Sequence, residues 1–160
     1  MFLLCILVAL PGASEAQVAT ASTAVVTKAP LPTLAEGVLS SHQGLLVELV
    51  TKAGLMPTLS SAGAYTFFVP SEEGLTKLQT QSPDDLKSIL SQHIVPGVVL
   101  MKDMRDGATL KTMGGGTLRI LKKKDAILID GIRITSGDQA FSNGVWHQLK
   151  GVLHAPVSLL

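Results

Sequence analysis

Residues 65–75 read Tyr65-Thr66-Phe67-Phe68-Val69-Pro70-Ser71-Glu72-Glu73-Gly74-Leu75. The first five are β-branched or aromatic, which suits a buried strand. Pro70 has no backbone N–H to give and stops the strand. Ser71 then offers a hydroxyl to the free N–H groups of a short helix carrying Leu75 and Leu78. Glu72 and Glu73 sit at the positive end of that helix. A strand, a proline stop and a capped helix therefore follow one another with no room for a long loop.

Working back from this stretch, Gly54 ends a helical pattern, because glycine accepts the left-handed backbone needed there. Leu34, Val38, Leu45, Leu46, Leu49 and Val50 recur at near-helical spacing, with a break near Ser40-Ser41. Thr33 and Glu36 form a capping-box pattern in front of them. Pro57 to Ser60 predicts a turn or short helix. Working forward, Ser82-Pro83-Asp84-Asp85 combines an N-cap, a first-turn proline and two acids at the positive dipole end. Leu86, Ile89, Leu90 and His93 share one face of the helix that follows, and Pro96-Gly97 ends it.

Beyond that point the period changes from 3.6 to 2. Thr109–Met113, Thr117–Leu121, Ala126–Ile129 and Ile132–Ile134 are short and β-rich. Gly114-Gly115-Gly116, Lys122 to Asp125 and Asp130-Gly131 separate them as turn signals. Asn143-Gly144 is a tight-turn pair in front of a last strand from Val145 to about Val152. Helices first and strands later predict an α+β class, not a βαβ nucleotide-binding fold.

The totals agree with one domain and a small extension in 160 residues. Apolar residues make up 46% and aromatics only 4%, so the core is aliphatic. A net charge of +1 provides no broad basic face for nucleic acid. Phe2 to Leu10 is wholly apolar and leads into Ala13-Ser14-Glu15-Ala16, a small-residue cleavage pattern, so residues 1–16 read as an export signal. The apolar run is far shorter than the ~20 residues of a membrane span. Residues 17–32, rich in Ala, Thr, Ser, Val and Pro, read as a flexible linker. Cys5 is the single cysteine and lies in the signal, so the mature chain is expected to hold no disulfide and no thiolate metal site.

Four segments together resemble the fasciclin domain family. Residues 66–75 look like its "TxFAPTNEAF" motif. Leu90-Ser91-Gln92-His93-Ile94-Val95-Pro96-Gly97 is similar to "LxYHVVPG". Asp106-Gly107 to Met113, with Gly116, resembles the "dG…l.Tl.G" hairpin. Ser142-Asn143-Gly144-Val145-Trp146-His147 with Gly151-Val152-Leu153 looks like the "NGVIHVIDxVL" ending. The resemblance covers residues 33–156 and leaves 157–160 as a C-terminal tail. It implies N-terminal helices packed on a wedge-shaped β-sandwich of short strands. It also implies a role in cell adhesion or in extracellular matrix or surface binding, outside the cell or in a periplasm, with no catalytic residues and no cofactor. The expected partner is a cell-surface or matrix protein or a polysaccharide. The sequence departs from the family pattern at Gln92, where the family has Tyr, and at Leu149-Lys150, where it has "ID". Of the adhesive stretch before Asn-Gly, only Asp138 in Gly137-Asp138-Gln139-Ala140-Phe141 matches clearly.

The candidate adhesion contacts are therefore His93, Asp138 and Gln139. Lys122, Lys123 and Lys124, with Arg119 and Lys111 on nearby strands, form the one charge cluster, a candidate contact for anionic polymers. His42, His93, His147 and His154 show no metal-ligand spacing, and His93 and His147 are expected to bridge backbone groups. The acid pairs Glu72-Glu73 and Asp84-Asp85 are accounted for by helix dipoles. The three glycines lack the following helix that a phosphate cradle needs. There is no Gly-x-Ser-x-Gly, so hydrolysis has the least support. The alternative function is carriage of an apolar molecule, such as a carotenoid or lipid, between the helices and the strands.

Overall fold

The computed structural model describes residues 30–154. The expected export signal, residues 17–29 of the linker and the tail after 154 lie outside the described residues.

The helical half follows its capping chemistry. Helix α1 (Leu34–Ser40) starts at a complete capping box. The Thr33 N–H donates to Glu36 Oε2 at 2.6 Å, and the Glu36 N–H donates to Thr33 Oγ1 at 3.2 Å. Ser41 is extended, which breaks the helix where the pattern predicted, and α2 (Gly44–Lys52) follows. Gly54, at φ +69°, turns the chain out of α2 into α3 (Met56–Ser60). Strand β1 (Tyr65–Val69) leads into α4 (Glu72–Leu78), where Ser71 Oγ accepts from the Gly74 N–H at 3.3 Å. Helix α5 (Pro83–Gln92) is capped by Ser82 in the same way.

The strand half contains β2 (Ile94–Pro96), a 3-10 turn at Met101–Asp103, β3 (Thr109–Lys111), β4 (Thr117–Lys123), β5 (Ala126–Ile129), β6 (Ile132–Phe141) and β7 (Gly144–Leu149). Two features differ from the sequence expectation. Ile94 and Val95 form a strand that pairs antiparallel with β1, in a place read only as the end of a helix. Strand β6 runs on to Phe141 and does not stop at Ile134. Register shifts between Ile134 and Ser136 and between Ser136 and Gln139 hide its period, because each bulge moves the alternation by one residue.

All the strands join one ladder in the order β2-β1-β7-β6-β5-β4-β3, parallel only between β1 and β7. Alternation along β1 explains how this single sheet makes two cores. Phe67 and Val69 point outward into a cluster with Leu34, Leu46, Leu49, Leu75, Leu86 and Leu90 of the helices. Phe68 points the other way, into a cluster with Leu118, Ile120, Ile127, Ile129, Ile134 and Leu149. Strands β3 to β5 therefore fold back over the inner face of β1, β2 and β7. The expected sandwich is one continuous sheet bent on itself. Its two edges meet where the Met113 N–H donates to Ile94 O at 2.8 Å.

Gly144 makes the parallel β1–β7 pairing possible. A Cβ there would stand 1.9 Å from the Tyr65 carbonyl oxygen, a backbone atom that cannot rotate away. Trp146, two residues on, packs edge-on to Phe67 with ring centres 6.0 Å apart and stacks on Phe141 at 5.7 Å.

Candidate functional site

The buried polar side chains among the described residues are Thr66, Gln92, His93, Thr112, Asn143 and His147. A buried polar group without a partner costs about 1–3 kcal/mol, so each must be bonded or used. All are bonded, and more than half of the bonds reach the main chain of a distant segment.

His93 is fully buried at the end of α5. Its Nδ1 lies 2.9 Å from Ile89 O, and its Nε2 lies 2.9 Å from the Leu153 N–H. A carbonyl only accepts and an N–H only donates, so the ring is neutral with its proton on Nδ1. Burial pushes its pKa down from 6.5 to about 4, against the opposing pull of the Ile89 carbonyl. As a candidate adhesion contact His93 is corrected: it presents no surface, and it ties the end of the chain to α5.

His147 has the opposite tautomer. Its Nε2–H donates to Val99 O at 2.7 Å, and Nδ1 accepts from the Asp138 N–H at 3.2 Å. The ring stacks on Phe68 at 5.4 Å, and burial again lowers its pKa. Asp138 itself is exposed, at φ +58° in the β6 bulge, and its Oδ1 accepts from the Met101 N–H at 2.8 Å. Its carboxylate thus holds the 99–101 segment while keeping an exposed edge. Gln139 is exposed beside it, opposite Trp146. Lys122 and Lys123 end β4 and Lys124 begins the turn to β5, all exposed. Asp138 and Gln139 therefore form one neighbourhood and the lysines another. His93 belongs to neither.

Two polar nodes were not recognised in the sequence. Gln92, the departure from the family tyrosine, is buried, and its Oε1 accepts from Thr112 Oγ1 at 2.7 Å. A Cβ at Gly114 or Gly116 would meet the Gln92 amide at 2.4 or 2.1 Å. The glycine run thus makes room for this side chain, which is a second reason why it is no phosphate cradle. Asn143 is more than a turn residue. Its Oδ1 accepts from the Leu34 N–H at 2.8 Å, and its Nδ2 donates to Leu59 O at 2.7 Å and to Ser61 O at 2.9 Å. One side chain joins the start of α1, the end of α3 and the β6–β7 turn. Asn-Gly signals the turn but carries no local sign of partners so far away in sequence.

The described residues contain no group of three or more His, Cys, Asp or Glu able to hold a metal ion. A cavity of about 450 Å³ opens between α4, α5 and residues 150–154. Leu78, Ile89, Val152 and Leu153 line it, with Lys77 and Lys150 also in its walls.

Comparison with known proteins agrees with this architecture. A profile of the fasciclin domain matches residues 43–156. The fasciclin-like arabinogalactan protein CTB11 of Cercospora beticola is 34% identical over 113 residues, covering 67% of this chain and 30% of that protein. Protein sll1483 of Synechocystis sp. is 27% identical over 121 residues, covering 70% and 67% respectively. The chain thus spans under a third of the fungal relative and about two thirds of the cyanobacterial one. Among solved structures, a FAS1 domain pair from the insect cell adhesion molecule Fasciclin I superposes with a TM-score of 0.63 at 19% identity, covering 79% of this chain and 52% of that one.

Proposed function

The chain belongs to the fasciclin family, and from that premise we propose that it is a non-catalytic binding module acting in cell adhesion or in attachment to an extracellular matrix. The observation that carries this reading is the use of the buried polar side chains. Thr66, Gln92, His93, Thr112, Asn143 and His147 are committed to holding backbone segments together. Neither buried histidine is hydrogen-bonded to a serine or a carboxylate, so neither forms a nucleophile–base pair. What is left for function is the outside of the molecule. The adhesion reading places the protein outside the cell, in keeping with the apolar N-terminal segment and the insect adhesion molecule whose fold it shares. Asp138, Gln139 and Lys122 to Lys124 are the exposed contacts to test. The experiment is adhesion of the full chain to cells and to matrix polymers from its own host, with Asp138→Ala and a Lys122/Lys123/Lys124→Ala variant alongside. Retention that falls in either variant supports the reading. Absence of any retention by cells or matrix sinks it.

The cavity beside α4 and α5 favours a second reading, carriage of an apolar molecule such as a lipid or carotenoid. Its volume of about 450 Å³ falls within the range of small-molecule sites, and Leu78, Ile89, Val152 and Leu153 give it an apolar strip beside the charged Glu73, Lys77 and Lys150. Mass spectrometry of the protein purified from its host decides this: an apolar adduct supports the carrier, and an empty protein removes it.

A further inference from the structure

The bent sheet has one outer face, and only half of it is covered. On β1 and β7 the outward residues Phe67, Val69 and Trp146 lie under the helices. On β3 to β5 and the first part of β6, up to Ile134, the outward residues alternate with the buried Leu118, Ile120, Ile127, Ile129 and Ile134 and meet solvent, whereas Phe141 at the far end of β6 packs against the helical core. Those outward positions include Lys111, Arg119, Lys123 and Arg133. Lys150, just past β7, joins them: it alternates with the inward Leu149, and its N–H donates to Arg133 O at 2.9 Å. We propose that this uncovered face of β3–β5 and the first part of β6, completed by Lys150, is a docking surface for a linear anionic polysaccharide. The proposal deepens the adhesion reading and rests on it.

The sheet register sets the arrangement. Arg119 stands opposite Thr109, and Lys111 opposite Thr117. Leu121 pairs with Leu128, Leu128 with Arg133, and Arg133 with Lys150, which makes one row across the sheet. Outward positions in a sheet lie about 5 Å apart across strands and about 7 Å apart along them. The cations thus form a lattice over which successive charges of an extended chain can be met. Threonine hydroxyls at 109 and 117 lie among them, and half-buried Leu121 and Leu128 form a shallow apolar strip suited to the C–H face of a sugar ring. Asp125 borders the face in the β4–β5 turn, where its main-chain oxygen accepts from Arg133 Nη2 at 3.4 Å, and two further carboxylates at the border are partly engaged by the main chain. Asp130 Oδ1 accepts from the Arg119 N–H at 2.9 Å, and Asp106 Oδ1 from the Lys122 N–H at 2.8 Å.

Other polyanions fit less well. The large exposed apolar side chains, Leu31, Leu39, Val98 and Met113, are off these outward strand positions, so the face has no wedge for a bilayer. It carries no aromatic ring on which a nucleic-acid base can stack.

The test titrates the full chain with heparin, a sulfated polymer, with polygalacturonate, a carboxylated one, and with uncharged dextran. Binding to at least one charged polymer, and not to dextran, is expected. Its log affinity should fall with log salt at a slope of about −4, as for four or five contacted anions. Removing one surface charge should cost on the order of fivefold in affinity, so Arg119→Gln with Lys123→Gln should lose about 25-fold. Lys52→Gln with Lys87→Gln removes the same net charge from the helical side and should change affinity less than about twofold. Preference for sulfate or for carboxylate polymer identifies the source of the charge. No binding to either polymer, equal loss in both double variants, or tighter binding to vesicles of anionic phospholipid overturns the proposal. Matrix adhesion that survives in the Arg119/Lys123 variant overturns it too and leaves the adhesion reading standing. Polymer binding without any cell or matrix adhesion sinks the adhesion reading alone.

Discussion

The two halves of the sheet share one hydrogen-bond ladder and have opposite exteriors. On β1 and β7 both faces are buried, the outer one under the helices and the inner one against β4 to β6. On β3 to β5 only the inner face is buried. An antiparallel stretch tolerates this, because each strand's backbone is paired by its neighbours and one apolar face is enough to hold it. The doubly covered half therefore holds the fold together. The half-bare part can change its outward side chains at little cost, and that freedom is what a recognition surface needs.

Substitutions that separate the halves test this contrast directly. Phe67→Ala, in the doubly covered half, is expected to cost about 4 kcal/mol in urea unfolding, the usual range for a fully buried ring. A cost near 1 kcal/mol would mean that the helices grip the sheet less tightly than the packing implies. Asn143→Ala removes the link between helices and strands and leaves the Leu34 N–H and two carbonyls without their partner. Its expected cost is about 3 kcal/mol, with the earliest hydrogen-exchange opening at the start of α1.

Acid should probe the same junction through His93. The unfolded ring titrates near 6.5 and the folded one near 4, so between these values the unfolded state binds more protons. Stability is complete above pH 6.5, declines as pH falls towards 4 and levels off below, a loss of about 3 kcal/mol from this ring. His147, also lowered by burial, adds in the same direction. Denaturation midpoints of the wild type and His93→Gln between pH 7 and pH 4 check this. The variant should start less stable and fall less steeply, and an unchanged slope would remove His93 as the source. The smallest effect belongs to the bare half. Arg119→Gln and Lys123→Gln should each move stability by no more than about 0.5 kcal/mol. A larger loss in thermal unfolding would show that this face carries structural load after all.

The helical half was legible because its signals are local. Thr33 with Glu36, Ser71, Ser82 with Pro83, and Gly54 each mark a boundary through bonds or dihedrals that span a few residues, and the helices begin and end at them. Strand β2 was missed because its three residues follow a helix directly and pair only with a distant β1. The full length of β6 was missed because its bulges break the alternation that reveals a strand. At the candidate site, the exposure of Asp138 and the lysines agreed with their residue types. The burial of His93 was legible in its spacing, on one face with Leu86, Ile89 and Leu90, and its backbone bridge fits that face and not the reading as an adhesion contact.

The sequence alone determined the α+β order of elements, the capped starts of α1, α4 and α5, the aliphatic core and the fasciclin motifs, since each is written in neighbours along the chain. Tertiary structure decided that the first and last strands pair in parallel at Gly144. It also decided that Asn143 and Gln92 bridge remote segments, and that one half of the sheet stays uncovered while its cations gather there. Those outcomes depend on which distant backbone groups meet, and residue spacing along the chain carries no record of that until the chain has folded.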